Sequence, residues 1–139
     1  EVNVLGAMAW LDQAAMLFER TGGGYIVGIS SVAGERGRVI NPVYNAGKAA
    51  LTTYLEALRN RLTRKGVHVL TVKPGFVSTP MTASMRQGFL FATPPPVGRA
   101  IARRMEIHCS GDMYVPRFWW LVMKVVQLIP ESLLRRLPF

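Results

Sequence analysis

Tyr44 and Lys48 are the residues whose types and spacing point most directly to chemistry. They stand four positions apart, so a helix would place both side chains on one face. A lysine cation close to a tyrosine hydroxyl favours the phenolate form, which makes the tyrosine a usable acid or base near neutral pH. The pair therefore indicates proton transfer at a substrate oxygen, although a tyrosine and a lysine at this spacing are by themselves more often structural.

Ser31 adds a hydroxyl to this pair. It lies thirteen residues before Tyr44 and follows the short apolar run of residues 25–29, which is typical of a strand buried on both faces. A serine at the carboxyl end of that strand could hydrogen-bond the same substrate oxygen that Tyr44 protonates. The sequence therefore places two oxygen-binding hydroxyls and one cation near a single strand end.

The elements that must position these side chains follow from the spacing of apolar residues. We expect helices over residues 2–20, 44–64 and 97–107, and strands over residues 25–29, 67–72 and 112–115. This alternation predicts an α/β fold with a doubly wound parallel sheet. Ligands of such sheets bind beyond the carboxyl ends of the strands, where Ser31 and the run Lys73-Pro74-Gly75 fall.

Residues 78–96 form an excursion that ends in three prolines. It is too long and polar for a tight connection, so it is predicted to be a lid or a substrate loop. Met81 and Met85 could line an apolar entrance to the site there.

Three motifs occur in a fixed order along residues 1–80. Ser30-Ser31 ends the first strand, Tyr44-x-x-x-Lys48 opens the long helix, and Pro74-Gly75 follows the second strand, while Asn3 precedes Ser31 by 28 residues. This constellation resembles the short-chain dehydrogenase/reductase family, and the likeness covers almost all of the range. The resemblance implies a Rossmann-like fold and an oxidoreductase that interconverts a carbonyl and an alcohol by hydride transfer with NADP or NAD.

The resemblance also implies a role for each matching residue. Tyr44 would donate or accept the proton, Lys48 would favour its phenolate and bind the nicotinamide ribose, and Ser31 would polarise the substrate oxygen. Asn3 would hold a water that relays protons from Lys48. The remaining cofactor contacts would come from Pro74, Gly75, Val77 and Thr79.

The sequence departs from the family at its beginning. No glycine-rich phosphate turn precedes the first helix, and the glycines of residues 22–24 follow a helix and precede a strand, which is the wrong order for a phosphate cradle. The chain opens on Glu1 without a methionine. We therefore predict a fragment that is inactive alone: a partial NAD(P)-binding domain over residues 1–116, the C-terminal half of the fold, and a helical tail over residues 117–139.

Composition narrows the classes of partner. The chain has 139 residues, a net charge of +9 and one cysteine, Cys109, which excludes a disulfide framework and a cysteine-rich metal site. His68 and His108 lack partners at metal-ligand spacing, so no metal site is predicted. No nucleic-acid motif accompanies the positive charge, so no nucleic acid is expected. Without a long apolar run or a signal peptide, the expected location is the cytoplasm.

The tail, residues 117–129, is apolar around most of a helix, with Arg117, Lys124, Gln127 and Glu131 on one narrow polar seam. Tryptophans beside flanking cations suit a membrane interface, but packing on the domain or across a subunit boundary explains the pattern equally well. The tail and the run of residues 33–36 also resemble the family branch that contains the reductase subunit of decaprenylphosphoryl-ribose 2′-epimerase. That likeness implies a lipid-linked keto sugar or another large hydrophobic carbonyl as substrate.

Two further expectations concern partners. The helices over residues 2–20 and 44–64 resemble those that form the family's subunit interface, which implies a homo-oligomer. The alternative to an enzyme is a non-catalytic protein that uses the same fold to bind a membrane surface through residues 117–139.

Overall fold

The computed structural model describes residues 2–84 and 88–136, and the side chains from Val4 onward within them. Met85 lies outside the described residues. The helices and strands, in chain order, are α1 Ala7–Thr21, β1 Gly24–Ile29, α2 Pro42–Leu62, β2 Val67–Pro74, β3 Phe76–Val77, β4 Phe91–Ala92, α3 Pro94–Glu106, β5 Gly111–Val115, α4 Trp119–Leu128 and α5 Glu131–Leu134. A π-helical turn, Val2–Gly6, precedes α1.

The central sheet contains β1, β2 and β5 in that order, and all its pairs are parallel. Gly24 pairs with Val67 and Leu70 pairs with Gly111, so the three strands end at the same edge. A second, two-stranded sheet joins β3 to β4, also in parallel. The predicted α/β fold with a parallel sheet is confirmed, and the carboxyl ends of the strands gather the loops that carry the predicted site.

Helices cover both faces of the central sheet. On one face, α1 and α2 bury a core with Ile26 of β1 and Val67 and Val69 of β2. On the other face, α3 packs against β2 and β5 through Val97 and Ile101. This arrangement is the one that strand alternation requires, since odd and even residues of β2 face opposite layers.

Helix α2 is set by its apolar spacing and its close approach to β1. Leu51, Leu55, Leu58 and Leu62 recur at three- and four-residue intervals and are all buried. Leu55 lies so close to Gly28 that a Cβ at that glycine would come within 2.2 Å of its Cδ1 atom. Because Gly28 has no side chain, α2 packs closely against the sheet. This packing brings the first turns of α2 next to the end of β1.

The start of α3 and the burial of β1 differ from the sequence-based expectations. The prolines of residues 94–96 begin α3 rather than end the preceding loop, because a proline fits the first helical turn, where its missing N–H has no acceptor. The strand β1 is less buried than predicted, and 47% of Ile29 is exposed. The α3-side face of β1 is only partly covered, because α3 lies over β2 and β5.

The tail packs on the domain through one face of α4. Trp119 and Met123 are buried in a cluster with Val32 and Phe76, whereas Trp120, Leu121, Val125 and Leu128 are exposed. Gln127 turns inward and donates a hydrogen bond to Glu35, so it leaves the predicted polar seam. None of the helices in the described ranges is long and apolar enough to cross a bilayer.

Candidate active site

The first turns of α2 place Tyr44 and Lys48 together, as their spacing predicts. The helix begins after Asn41, whose φ of 54° lies in the left-handed region that asparagine tolerates better than most residues. The buried Asn45 donates hydrogen bonds to the carbonyl oxygens of Arg38 and Ile40, which holds the incoming loop against the helix. Lys48 Nζ lies 5.7 Å from the centroid of the Tyr44 ring.

Lys48 reaches from α2 to the end of β1. Its Nζ donates a hydrogen bond to the Ile29 carbonyl oxygen at 2.9 Å. Burial lowers the pKa of Lys48, because a half-buried ammonium loses hydration. In the described part of the chain no carboxylate forms an ion pair with Lys48. An ammonium has three N–H donors, so this cation keeps donors for a ligand.

Ser30 and Ser31 are adjacent but have different partners. Ser30 Oγ donates to the Lys48 carbonyl oxygen at 3.0 Å and lies 2.6 Å from Thr52 Oγ1, so it ties the end of β1 to α2. Ser31 Oγ accepts a hydrogen bond from the Ala33 N–H at 3.1 Å and caps a short 3₁₀ turn, Val32–Gly34. A hydroxyl that accepts one bond can still donate its proton, and Ser31 therefore retains the donor that polarisation of a substrate oxygen requires.

The turn that carries Asn3 packs on α2, although the Asn3 side chain lies outside the described part of the structure. Val4, next to it, faces Gly47, where an added Cβ would lie only 3.0 Å from Val4 Cγ2. The π-helical form of Val2–Gly6 is uncommon and occurs often at functional sites. The backbone of this turn thus approaches α2 one residue before Lys48.

Four contacts hold the segment Pro74–Thr79, which starts at the last residue of β2. The Gly75 N–H donates to the Val115 carbonyl oxygen at 3.0 Å, and a Cβ on Gly75 would overlap the indole of Trp119, with 1.9 Å to Nε1. Only glycine fits beneath this indole. Val77 pairs with Ala92 in the small sheet, and the Thr79 N–H donates to Thr82 Oγ1 at 3.0 Å.

A buried ionic cluster beside this segment was missed by the sequence analysis. Lys73 Nζ lies 2.8 Å from Glu35 Oε1 and 2.6 Å from Asp112 Oδ2. Burial acts to lower the pKa of Lys73, but hydrogen bonds from its ammonium to Asp112 and Glu35 outweigh it and raise that pKa. The available signal was a lysine inside an otherwise apolar strand, since a buried lysine needs a carboxylate partner.

The two histidines and the cysteine that the sequence singled out lie at the other end of the sheet. The rings of His68 and His108 are 5.4 Å apart, and Cys109 Sγ accepts a hydrogen bond from Arg104 at 2.7 Å. Within residues 2–84 and 88–136, no group of three or more histidine, cysteine, aspartate or glutamate side chains could hold a metal ion.

A groove of about 490 Å³ lies between α3 and β5, lined by Val97, Arg103, Tyr114 and Arg117 among others. Tyr44, Lys48 and Ser31 do not line it. The candidate site at the carboxyl end of β1 is therefore not part of the lining of this groove.

Comparison with known proteins places this arrangement in a family. The profile of the family described as short chain dehydrogenase matches residues 1–89. An uncharacterised oxidoreductase of Myxococcus xanthus is 34% identical over 96% of this chain and 53% of its own length. An uncharacterised oxidoreductase of Mycobacterium tuberculosis is 34% identical over 98% of this chain and 54% of its own length.

A solved structure shares the fold. The crystal structure of a short chain dehydrogenase from Burkholderia cenocepacia in complex with NADP superposes with a TM-score of 0.78 at 22% identity, covering 99% of this chain and 58% of that one. The chain thus spans about half the length of the relatives it matches. The family profile matches most of the chain, the sheet is parallel, and Ser31, Tyr44 and Lys48 follow one another in the family's order. The chain therefore belongs to the short chain dehydrogenase family.

Proposed function

We propose that this chain supplies the proton-transfer machinery of an NAD(P)-dependent oxidoreductase that interconverts a carbonyl and an alcohol. The observation that carries the proposal is the position of Lys48, whose ammonium donates to the Ile29 carbonyl oxygen and lies 5.7 Å from the centroid of the Tyr44 ring. It has no carboxylate partner in the described residues. An unpaired cation in this place stabilises negative charge on a nearby phenol oxygen.

The residues present fit a nicotinamide cofactor. Lys48 Nζ uses one donor on Ile29, so its other donors are available to the vicinal hydroxyls of a ribose. When bound, the cofactor supplies or accepts the hydride. Pro74, Gly75, Val77 and Thr79 are proposed to contact the nicotinamide end. Pro74 ends β2 and the others come after it, at the edge of the sheet where ligands of such folds bind.

In the reducing direction, Ser31 is proposed to donate a hydrogen bond to the substrate carbonyl, and Tyr44 to give its proton to the developing alkoxide. Lys48 stabilises the phenolate that Tyr44 leaves behind. Asn3 is proposed to hold the water through which Lys48 and Tyr44 recover a proton. In the oxidising direction the phenolate of Tyr44 accepts the proton of the alcohol.

The test uses protein made from the complete reading frame, with NADPH or NADH and alkyl ketones of increasing chain length. Replacing Tyr44 with Phe should reduce kcat by about 10² to 10⁴-fold, the range that positioned acid catalysts contribute. Tyr54→Phe is the matched control, because Tyr54 lies on the same helix and packs against the core. A Tyr44→Phe enzyme that turns over within about twofold of the Tyr54→Phe enzyme would contradict the proposal.

The finer proposal is a hydrophobic or lipid-linked carbonyl substrate, such as the keto sugar on a polyprenyl phosphate that the branch resemblance implies. Its support is the apolar tail, because Trp119 packs directly on Gly75 while the outer face of the same helix is exposed. The substrate's lipid chain would then lie close to the reacting carbonyl. A falling KM with increasing alkyl chain length is expected, and a KM independent of chain length contradicts this proposal.

We also propose that α4 contacts a membrane surface. Trp120 is 52% exposed and Leu128 is 83% exposed, and the nearby Arg117 and Lys124 are exposed as well, a combination suited to an anionic interface. Co-sedimentation with phosphatidylglycerol vesicles should be lost in Trp120→Ala and kept in Trp10→Ala, since Trp10 is exposed on α1. Vesicle binding together with no cofactor binding would favour the non-catalytic alternative.

We propose a homo-oligomer because apolar side chains of α1 and of the start of α2 are exposed. Trp10 is 81% exposed and Val43 is 85% exposed, and apolar surface of this kind is typical of a protein interface. Light scattering should give a mass above that of one chain, and Trp10→Glu should lower it. A single-chain mass for the unchanged protein contradicts the proposal.

A further inference from the structure

Glu35 lies at the centre of a polar cluster that connects four parts of the chain. Its Oε1 accepts hydrogen bonds from Lys73 Nζ at 2.8 Å and from the Tyr114 hydroxyl. Its Oε2 accepts one from Gln127 Nε2 at 3.1 Å. The loop after β1, the end of β2, strand β5 and helix α4 therefore meet at one carboxylate.

This carboxylate and its main partner are buried. Only 6% of the Glu35 side chain and 7% of the Lys73 side chain are exposed. Burial and the hydrogen bond to Glu35 raise the pKa of Tyr114 to about 12, so the tyrosine stays neutral and donates. The hydrogen bonds of Lys73 and Tyr114 to Glu35 thus have a fixed direction, with both groups as donors.

On its own side, Glu35 is joined to Ser31 through one short turn. The Glu35 N–H donates to the Val32 carbonyl oxygen at 3.1 Å, and the Gly34 N–H donates to the Ser31 carbonyl oxygen at 3.1 Å. Ser31 Oγ caps the same turn. A displacement of Glu35 would therefore shift the turn that orients the Ser31 hydroxyl.

On the other side, Lys73 is followed directly by Pro74 and Gly75. The indole of Trp119 rests on Gly75, and its helix α4 is tied back to the loop through Gln127 and through Arg36, which donates to the Ile129 carbonyl oxygen at 2.9 Å. Glu35 is thus linked to Gly75 by two routes, one through β2 and one through the tail.

Stability alone does not account for such a cluster. Replacing a buried ion pair with apolar side chains of similar size is often neutral or stabilising, because desolvation offsets the attraction between the charges. What a buried pair does supply is a fixed distance and direction between the elements that carry it. Here those elements are the Ser31 turn and the Pro74–Thr79 segment.

We infer that Glu35 is a positioning residue, which holds the Ser31 turn and the Pro74–Thr79 segment in register for hydride transfer and couples both to the tail helix. The inference rests on the proposed function. It assigns the tail a second role, since Gln127 and Arg36 would transmit the position of α4 to the reacting groups.

The test compares two variants with one control in the protein made from its complete reading frame. Glu35→Gln leaves Lys73 paired only with Asp112, and it should lower kcat by about tenfold to a hundredfold, as small misplacements of reacting groups do. Glu35→Gln/Lys73→Met removes both charges. It should restore the Tm that Glu35→Gln loses, while kcat stays low. Val67→Ala is the control, because Val67 is buried at the opposite end of β2; its Tm should fall while kcat stays unchanged at temperatures where it is folded.

If the pair serves stability only, kcat of the double variant recovers together with Tm, and the inference is overturned. It is also overturned if Glu35→Gln changes kcat no more than Val67→Ala does. Amide hydrogen exchange gives a readout that needs no turnover: residues 31–34 and 75–77 should exchange faster in Glu35→Gln and not in Val67→Ala. Tyr44→Phe in the turnover assay separates the two proposals. A fully active Tyr44→Phe enzyme overturns the proposed function and this inference with it. An inactive Tyr44→Phe enzyme together with a Glu35→Gln enzyme of normal kcat overturns this inference alone.

Discussion

Lys48 and Lys73 lie at the same edge of the sheet, beside the ends of the neighbouring strands β1 and β2, and their surroundings are opposite. Lys48 extends from α2 to the last carbonyl of β1 and has no carboxylate partner in the described ranges. Lys73, within β2, is enclosed between Glu35 and Asp112. Burial lowers the pKa of Lys48, whereas the two carboxylates raise the pKa of Lys73 despite its burial.

Under the proposed function, the difference separates a cation that would bind a ligand from a cation that holds structure. A partly buried charge without a partner costs folding free energy, and such costs cluster at sites where a substrate or cofactor completes the environment. A charge with its partners in place resists displacement. The spacing to Tyr44 singles out Lys48 in the sequence, but no local pattern shows that Lys73 meets two carboxylates.

The largest expected effect is the loss of activity on removing the Lys48 charge. Lys48→Met should lower kcat by about 10² to 10⁴-fold in the oxidoreductase assay, while Tm stays the same or rises, because an unpaired half-buried cation is removed. Lys65→Met, an exposed lysine after α2, is the control. A fall in Tm with kcat preserved would remove the distinction between the two lysines.

The second effect is the loss of stability on removing the Lys73 charge. Lys73→Met leaves Glu35 buried without its cation, and breaking such a pair costs about 3–5 kcal/mol. Urea unfolding should show the loss as a lower midpoint with an unchanged slope. Equal stability of the Lys73→Met and unchanged proteins would mean that Glu35 finds another donor, and the contrast with Lys48 would then be wrong.

The two serines extend the comparison to neutral groups. Ser30→Ala removes the link from β1 to α2. It should lower the free energy of unfolding by about 1 kcal/mol, the value of a typical hydrogen bond. It should reduce kcat less than Ser31→Ala does. Ser31→Ala should reduce kcat by at least about tenfold, as loss of a donor to the reacting oxygen does. The reverse order of kcat values would assign the substrate contact to Ser30.

The smallest effect is on the pH dependence of stability. Burial acts to raise the pKa of Asp112, but hydrogen bonds from Lys73 and Arg59 lower it overall. The carboxylate therefore contributes stability above its unfolded pKa of about 4, and this contribution is lost as the pH falls through the lower folded value. Between about pH 6 and about pH 3, Tm of Asp112→Asn should fall less steeply than that of the unchanged protein.

An equal slope of Tm against pH in both proteins would mean that Lys73 depends on Glu35 alone. The effect is small because 37% of the Asp112 side chain is exposed, and solvent weakens charge interactions at such positions.

The fold was largely predictable because the spacing of the apolar residues and the positions of the glycines indicate the same helices and strands along most of the chain. The leucines of α2 recur at helical spacing, the β-branched runs mark β1 and β2, and Gly66, with φ of 70°, ends the helical segment before β2. The pairing of β3 with β4 was not predictable, since each has only two residues, too few to show alternation.

The proximity of Tyr44 and Lys48 was predictable from the sequence, whereas the tertiary partners of the polar side chains were not. Four-residue spacing brings Tyr44 and Lys48 onto one helix face whatever surrounds them. The Glu35 cluster depends instead on residues up to 92 positions apart in the sequence, and no local pattern records which carboxylate meets which lysine. Gln127 shows the same limit, because helical spacing put it on a polar seam while tertiary packing turned it toward Glu35.

The indole of Trp119 gives the molecule an optical reporter of its own. The chain has three tryptophans, of which Trp10 and Trp120 are exposed and Trp119 is 5% exposed, resting on Gly75 with its ring edge-on to Phe76. In a variant with Phe at positions 10 and 120, the tryptophan fluorescence of this chain would come from an indole that packs on Gly75, a residue proposed to meet the nicotinamide. Energy transfer from this indole to a bound reduced cofactor would then measure the docking of that ring directly, without a substrate and without turnover.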